Sequence, residues 1–209
     1  SGNNFESIDS TQYAFAALTP SGEVAAWGYS PYGGGGAPTD TGYAHIQPAQ
    51  YAFSARKADG SISAWGVSQY GGSGAPSGSG FTEVASTLRA FAALDANGAI
   101  HTWGNAGTGG SGGPSGNGFT YIASTQDAFA ALAADGSIAA WGDATHGGSN
   151  PPTGTGFVTI ASTQWAFAAL KADGSLSAWG AASYGVTNAP TSSGLTALTT
   201  WDVHNRCPF

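Results

Sequence analysis

Hydrophobic and polar positions in this chain follow one short pattern that recurs along most of its length. In STQDAFAALAADGSIAAWG, at 124–142, the apolar run AFAAL is followed by a short polar segment and a second apolar run. Both runs are shorter than the roughly 10 residues of a typical helix. Asp135-Gly136 between them is a turn signal, because a two-residue hairpin turn needs positive φ. The pattern therefore predicts short antiparallel strands joined by tight turns.

The pattern returns at a fixed period of 38 residues, without insertion or deletion, in five copies. The tryptophans that mark this period are Trp27, Trp65, Trp103, Trp141 and Trp179. A fixed period of this length is typical of repeat proteins, in which each repeat buries its apolar faces against its neighbours. We predict a single domain over 1–209, with repeats at about 5–42, 43–80, 81–118, 119–156 and 157–194 and a closing strand and tail at 195–209.

Each repeat contains three segments with strand character, and the Gly- and Pro-rich stretch after Trp-Gly is a candidate fourth strand. Side chains alternate between the two faces of a strand. In AFAAL, Phe129 and Ala131 share one face, and the other face carries Ala128, Ala130 and Leu132. Because both faces are apolar and one repeat cannot bury both, neighbouring repeats are expected to stack.

This repeat resembles that of the regulator of chromosome condensation superfamily. The positions that match in the fourth copy are Ala130, Leu132, Asp135, Gly136, Ile138, Trp141, Gly142 and Gly147. The short, Ala-rich form resembles in particular the propeller-type β-lactamase inhibitor proteins and the repeats of bacterial and algal surface proteins. The resemblance extends from residue 5 to about 200 and implies a β-propeller of four-stranded blades.

Five copies imply an all-β, five-bladed β-propeller, although seven blades are usual in the family. The first strand occurs six times, the last time as GLTAL at 194–198. We therefore expect the N- and C-terminal strands to close the ring, which would protect the sheet edges. An open β-solenoid fragment of a longer array is the alternative architecture.

Composition limits the classes of partner. Charged residues make up 8% of the chain and aromatic residues 12%, which is typical of a folded rather than a disordered protein. With five Lys and Arg and a net charge of −7, the chain lacks the clustered positive charge that nucleic acids and anionic membranes require. The low charge predicts a secreted or cell-surface protein that binds another protein or a glycan.

Candidate binding residues lie where the repeat copies differ, because packing does not fix those positions. One track precedes AFAAL and consists of Tyr13, Tyr51, Arg89, Asp127 and Trp165. The other follows Trp-Gly and supplies Tyr29, Tyr32, Tyr70, His146 and Tyr184. Tyr, Trp and Arg are typical of recognition surfaces, and aromatic rings also stack on sugars. Tolerated variation in surface loops is the alternative, and the sequence leaves open whether both tracks share one face.

A further candidate is Arg56, which stands where the other four copies have leucine. A cation at a core position is unfavourable unless it is paired or reaches solvent. Arg56 therefore either extends its head group to the edge of a blade or is a buried cation. A buried Arg56 would pair with a carboxylate such as Glu83 or bind an anion.

Catalytic chemistry is not indicated. The four histidines stand at four different repeat phases, without the spacing of a metal site: His45, His101, His146 and His204. No nucleophile motif is present, and we predict no enzyme activity, no cofactor and no metal. The single Cys207 cannot form an internal disulfide but could join two chains, so self-association is a further expectation.

We therefore expect a non-enzymatic extracellular binding or structural module that acts through one propeller face or the blade edges. It would belong to an adhesin, a surface layer or a filament. A lectin that uses the aromatic loop residues and an inhibitor of a secreted enzyme are the alternative functions.

Overall fold

A computed structural model describes residues 4–190 of the 209-residue chain, and they form five three-stranded antiparallel sheets. We call each sheet a blade and number the blades in chain order. Blades 1 and 2 comprise β1 Ser7–Ser10, β2 Ala14–Leu18, β3 Val24–Gly28, and β4 Tyr43–Pro48, β5 Ala52–Lys57, β6 Ile62–Gly66. Blades 3, 4 and 5 comprise β7 Phe81–Ser86, β8 Ala90–Asp95, β9 Ile100–Gly104, then β10 Phe119–Ser124, β11 Ala128–Ala133, β12 Ile138–Gly142, then β13 Phe157–Ser162, β14 Ala166–Lys171, β15 Leu176–Gly180.

The order of strands in each blade follows the chain, with the AFAAL strand in the middle. In blade 4, Phe129 lies opposite Trp141 on β12 and opposite Ser124 on β10. At the hairpin between β11 and β12, Gly136 has a φ of 80° and the Asp135 carboxylate accepts a hydrogen bond from the Ser137 N–H at 2.8 Å. The all-β, five-bladed architecture and its tight turns are thus confirmed.

The Gly- and Pro-rich stretch forms no fourth strand in the described part of the chain, unlike the four-stranded blades that the family resemblance implies. A 3-10 turn follows each third strand instead, at Ser30–Tyr32, Ser68–Tyr70, Ala106–Thr108, Ala144–His146 and Ala182–Tyr184. In the third repeat, Gly109, Gly112, Gly116 and Gly118 all have φ between 78° and 100°, and Pro114 has no N–H to donate. Repeated positive φ angles and a missing donor prevent an extended, hydrogen-bonded strand.

The core lies between consecutive blades. One face of β11, with Ala130 and Leu132, packs against Phe167 and Trp179 of blade 5. The opposite face, with Phe129, packs against blade 3. Both faces of the middle strand are therefore buried, as the alternation predicts, and the repeats stack.

A glycine of each blade joins it to the next blade. The Trp103 indole N–H donates to the Gly71 carbonyl of the preceding blade at 3.0 Å, and Trp65, Trp141 and Trp179 make equivalent bonds at 3.0–3.1 Å. A Cβ built on Gly71 would lie 2.4 Å from the ring of Phe91. This ring itself stacks on Trp103 with centroids 5.2 Å apart. Only glycine allows the turn to approach the Phe–Trp pair so closely.

Blade 1 differs because no earlier blade covers it in the described residues. Phe15 and Trp27 are 45% and 44% exposed, whereas their equivalents in blade 2, Phe53 and Trp65, are 0% and 4% exposed. The predicted closing strand at 194–198 and the tail at 195–209, including Cys207, lie outside the described residues. Within residues 4–190, no helix has the length and apolar character needed to cross a membrane.

Candidate functional site

The two variable tracks lie side by side because a threonine holds them together. In blade 4, the Thr125 hydroxyl accepts a hydrogen bond from the Ala128 N–H at 3.1 Å and donates to the His146 carbonyl at 3.0 Å. It thereby fixes the turn that carries Asp127 and the end of the 3-10 turn that carries His146. Thr11, Thr87 and Thr163 make the same two bonds in blades 1, 3 and 5.

Backbone hydrogen bonds between consecutive blades run beneath these tracks. The Gln12 N–H donates to the Gln50 carbonyl at 3.0 Å, and the Gln50 N–H donates to the Leu88 carbonyl at 2.9 Å. Leu88 and Gln126 continue the series to Gln164, each with an N–H to carbonyl distance of 2.8 Å. Because each bond joins equivalent turns, the residue after each of these positions lies next to its equivalent in the neighbouring blade.

The result is one continuous row of side chains, in which members of the two tracks alternate. We call it the ladder, and its members are Tyr13, Tyr32, Tyr51, Tyr70, Arg89, Thr108, Asp127, His146, Trp165 and Tyr184. Successive members are 19 residues apart in sequence, half of the 38-residue period. The question that the sequence leaves open is thereby answered, since both tracks share one surface.

The first half of the ladder is a stack of tyrosines that ends on an arginine. Ring centroids are 5.5 Å apart for Tyr13 and Tyr32, 4.5 Å for Tyr32 and Tyr51, and 4.7 Å for Tyr51 and Tyr70. The guanidinium of Arg89 lies 5.6 Å from the centroid of Tyr70, within cation–π range. Packed neighbours desolvate the Tyr51 hydroxyl and raise its pKa above the ordinary value, so this hydroxyl remains neutral at physiological pH.

The second half of the ladder combines an aspartate, a histidine and two aromatic rings. His146 Nδ1 lies 3.2 Å from the Asp127 carboxylate, and the imidazole stacks on Trp165 at 5.1 Å. Tyr184 lies 4.1 Å from Trp165, between ring centroids. No group of three or more potential metal ligands occurs in the described part of the chain. Asp127 and His146 therefore form a pair that orients side chains at a surface.

The ladder exposes ring edges more than ring faces. Tyr32 and Tyr51 stack on each other with an interplanar angle of 20°, and Tyr51 also stacks on Tyr13. These inner rings present their edges and hydroxyl groups to solvent. Tyr13 and Tyr29 are the more open rings, at 50% and 57% exposed, and Tyr29 packs edge-on against Tyr32.

Sequence reasoning missed two features of this surface. The first is Thr108, a buried ladder position that separates Arg89 from Asp127 and divides the row into its two halves. The second is the set of glutamines behind the ladder: Gln50 donates to Gln12 at 3.2 Å, and the amide oxygen of Gln126 accepts from the Trp165 indole at 2.5 Å. The 19-residue spacing was the available signal, because it places each member midway between two copies of the other track.

Arg56 lies apart from the ladder, near the opposite end of β5 from Tyr51. It is half-buried, and its Nη1 lies 3.4 Å from the carbonyl oxygens of Lys57 and Phe81. Burial lowers the pKa of Arg56, and the nearby charge of Glu83 raises it. Among the ion pairs of residues 4–190, none joins Arg56 to Glu83 within direct contact, so the two charges attract each other across a gap.

Glu83 is the more strongly perturbed member of this pair. Burial raises the pKa of its carboxyl from 4.5 to about 7, although a backbone hydrogen bond from Ile122 and the charge of Arg56 act in the opposite direction. The hydroxyl of Tyr121 also has a raised pKa, because it is buried and lies near Glu83. Glu83 therefore carries a proton in the folded state at a pH where it is ionised in the unfolded state.

We expect the free energy of unfolding to fall as the pH rises from about 4.5 to 7, by up to about 3 kcal/mol. The sign follows because the folded state holds the Glu83 proton more tightly than the unfolded state does. Glu83→Gln removes this fall and makes the protein more stable than wild type at pH 8. Urea denaturation between pH 4 and pH 8 measures it. The exposed Glu23→Gln is the control, and an unchanged pH profile in Glu83→Gln contradicts the assignment.

Comparisons with known proteins bear on the fold. No protein-family model and no curated protein matches the chain. The CRINKLY WD40 ectodomain of the Arabidopsis thaliana receptor kinase ACR4 is 18% identical, with a TM-score of 0.59, over 85% of this chain and 64% of that chain. The ectodomain of the Physcomitrella patens receptor kinase CR4 is 20% identical, with a TM-score of 0.60, over 85% and 51%. Prp20p from Saccharomyces cerevisiae is 17% identical, with a TM-score of 0.58, over 83% and 56%.

The chain spans about half to two thirds of the length of these solved structures. At this level of identity the likeness concerns the fold. Prp20p is the yeast regulator of chromosome condensation, so the comparison agrees with the resemblance carried by Asp135-Gly136, Trp141-Gly142 and their equivalents. The chain has a β-propeller repeat fold of the regulator of chromosome condensation type.

Proposed function

We propose that this protein is a non-enzymatic binding module, and that the ladder is its contact surface for a protein partner. The observation that carries the proposal is the convergence of the variable positions on one continuous row. Ten positions that folding does not hold constant between repeats meet along a single surface of an otherwise uniform scaffold. Its low content of charged residues, 8%, supports a secreted or cell-surface location.

The chemistry of the first half of the ladder favours a protein as the partner. Tyr, Trp and Arg contribute most of the energy at protein interfaces, because they combine apolar area with a polar end. Tyr13, Tyr32 and Tyr51 are already ordered by mutual stacking, so little side-chain entropy remains to be lost on binding. Arg89 is exposed beside Tyr70 and offers a directional charge for a carboxylate or backbone carbonyl of the partner. Inhibition of a secreted enzyme is one form that such binding could take.

Carbohydrate binding is the second candidate, and the exposed rings of Tyr13 and Tyr29 favour it. A sugar ring stacks on the face of an aromatic side chain, and these two rings are more open than their neighbours. The inner rings, Tyr32 and Tyr51, have faces occupied by each other. A lectin site would therefore be confined to the first rings of the row.

Selection from a displayed peptide library tests the proposal. Random peptides selected on the wild-type protein are expected to bind the ladder, and Arg89→Ala and Tyr13→Ala each weaken their binding about tenfold, or about 1.4 kcal/mol. Both side chains are exposed, so neither change removes a buried contact. Calorimetric titration of the selected peptides against each variant gives the affinities.

Asp59→Ala is the matched control, because this exposed residue lies in the turn between β5 and β6, away from the ladder. Peptides whose affinity depends on Asp59 and not on Arg89 or Tyr13 contradict the proposal. A glycan array probed with the same variants decides the second candidate. Oligosaccharide binding that Tyr13→Ala abolishes, together with no peptide binding at the ladder, would replace a protein partner by a sugar.

A further inference from the structure

We propose that the protein associates end to end with a second copy of itself, through the uncovered face of blade 1 and the outer face of blade 5. This inference goes beyond the proposed function and does not depend on the ladder's ligand. It rests on the repeat itself, because the four internal contacts between blades show what the uncovered face is built to receive.

The uncovered face of blade 1, which we call the head, is apolar and ordered. Ile8 lies opposite Ala17, and Trp27 lies opposite Phe15, so all four side chains share one face of the sheet. Ile8 is 60% exposed, and its equivalents Ile46, Ile122 and Ile160 are all buried at contacts between blades. Phe15 and Trp27 stack with centroids 5.5 Å apart, in the same geometry as the buried pairs. The head is thus prepared for a partner before any partner is present.

The equivalent face of blade 2 shows which chemistry covers the head. Ala14, Ala16 and Leu18 of blade 1 pack on Phe53 and Trp65. Above them, the Gly33 carbonyl accepts the Trp65 indole N–H at 3.0 Å. The matching partner for the head is therefore a strand with small residues and a leucine on alternate positions, followed by a 3-10 turn that ends in glycine.

The outer face of blade 5, which we call the tail, has this composition. Ala168 and Leu170 on β14 are equivalent to Ala16 and Leu18, and the turn Ala182–Tyr184 ends at Gly185 with a φ of 116°. A Cβ built on Gly185 would meet only the Thr163 methyl group, at 3.7 Å. At Gly71, by contrast, a phenylalanine ring of the next blade lies at 2.4 Å. The turn that covers a Phe–Trp pair in every inner blade has no such pair to cover in blade 5 of the described chain.

Exposed residues on the tail agree with this. Ala161 lies opposite Ala168 and is exposed, whereas its equivalent Ala123 is 2% exposed at the contact between blades 4 and 5. Thr163 is exposed, while Thr125 is buried. The head and the tail are therefore the two halves of one contact, each lacking the other.

Docking of the tail on the head also continues the backbone series and the ladder. The series of hydrogen bonds leaves the Gln12 carbonyl at the head and the Gln164 N–H at the tail. The contact between copies brings this donor to this acceptor and places Tyr184 of one copy beside Tyr13 of the next. The described fifth blade does not cover its own molecule's head, since Phe15 and Trp27 remain 45% and 44% exposed. A second copy is the partner that supplies the missing face.

Two variants test the contact without disturbing the fold. Ile8→Arg places a charge on the head, and Ala161→Arg places one on the tail. Both positions are exposed in the single chain and become buried only in the proposed contact. Val158→Arg is the matched control: Val158 is 54% exposed, and its equivalents Thr82 and Thr120 stay exposed although their blades are covered. The measurement is molar mass by light scattering as a function of concentration, with a reductant present so that no disulfide through Cys207 contributes.

The wild-type protein and Val158→Arg are expected to grow in mass with concentration, beyond a dimer, because a head-to-tail contact leaves one free end on every assembly. Ile8→Arg and Ala161→Arg alone should each weaken association at least tenfold. A mixture of the two is expected to form a 1:1 dimer that does not grow, since only the intact tail of one variant and the intact head of the other can meet.

Three outcomes overturn the proposal. A wild-type protein that stays monomeric at all concentrations shows that the head is covered within the chain or not at all. Association that survives Ala161→Arg and fails in Ile8→Arg shows that two heads pair with each other. A mixture of the two variants that stays monomeric shows that their surfaces are not complementary.

Discussion

Trp103→Ala is expected to lower the free energy of unfolding by about 3–5 kcal/mol, whereas Trp27→Ala lowers it by only about 1 kcal/mol. The two tryptophans occupy the same position of the repeat, and each stacks on the phenylalanine opposite it. Trp103 is 4% exposed and donates to the Gly71 carbonyl, so its loss leaves a cavity and an unpaired acceptor. Trp27 is 44% exposed and leaves no cavity.

Urea denaturation, followed by circular dichroism at a protein concentration low enough to keep the chain monomeric, measures both values. Trp27 is the internal control for Trp103, because sequence and strand geometry are the same around both. Equal losses at the two positions would show that a further part of the molecule covers the face of blade 1. A small loss at Trp103 would contradict its assignment to the core.

Gly109→Ala is expected to destabilise the protein by about 2–5 kcal/mol. About 1–2 kcal/mol comes from placing a side chain at positive φ, since Gly109 has a φ of 98°. The remainder, about 1–3 kcal/mol, comes from overpacking, because the new Cβ would lie 2.5 Å from the ring of Phe129. The turn must then move away from Phe129 and stretch the hydrogen bond from Trp141 to the Gly109 carbonyl, which is 3.1 Å long.

Gly116→Ala is the control that separates the two contributions. Gly116 lies in the same repeat with a φ of 100°, and a Cβ built there meets nothing within 4 Å. It should therefore show the backbone contribution alone, about 1–2 kcal/mol. Thermal or urea unfolding of both variants gives the difference. Equal losses would mean that Phe129 adapts to the added methyl group and that the close approach is not required.

The sequence was sufficient for the blades because packing repeats with the period. Phe129 and Trp141 recur at fixed phase, and the alternation in AFAAL makes both faces of one strand apolar, which only stacking can satisfy. Asp135-Gly136 identified the hairpin because positive φ is a local requirement. Each of these inferences depends on residues near one another in sequence.

The candidate fourth strand shows where local pattern was insufficient. Its glycines were visible in the sequence, but their positive φ angles depend on the neighbouring blade. Gly109 turns as it does because Phe129 and Trp141 lie directly beneath it. A tertiary contact, rather than local propensity, selects the 3-10 turn over a strand.

The ladder was predicted as two separate tracks and not as one surface. The residue types and the phases of Tyr51, Arg89 and Trp165 follow from comparing repeats. Their juxtaposition with Tyr32 and His146 depends on hydrogen bonds of the Thr11 and Thr125 hydroxyls to carbonyls 21 residues away. Nothing in the local pattern distinguishes these threonines from ordinary strand ends.

The contact between Gly71 and Trp103, repeated along the chain, gives the molecule a thermodynamics of nearest neighbours. Each such contact connects only two consecutive repeats, so the stability of the whole is a sum of repeat and interface contributions along one dimension. Unfolding can therefore begin at an end and advance blade by blade, with the terminal blades opening most often. Evolution can change the length of such a molecule by duplicating or deleting 38 residues, since every remaining blade still meets a neighbour that it fits.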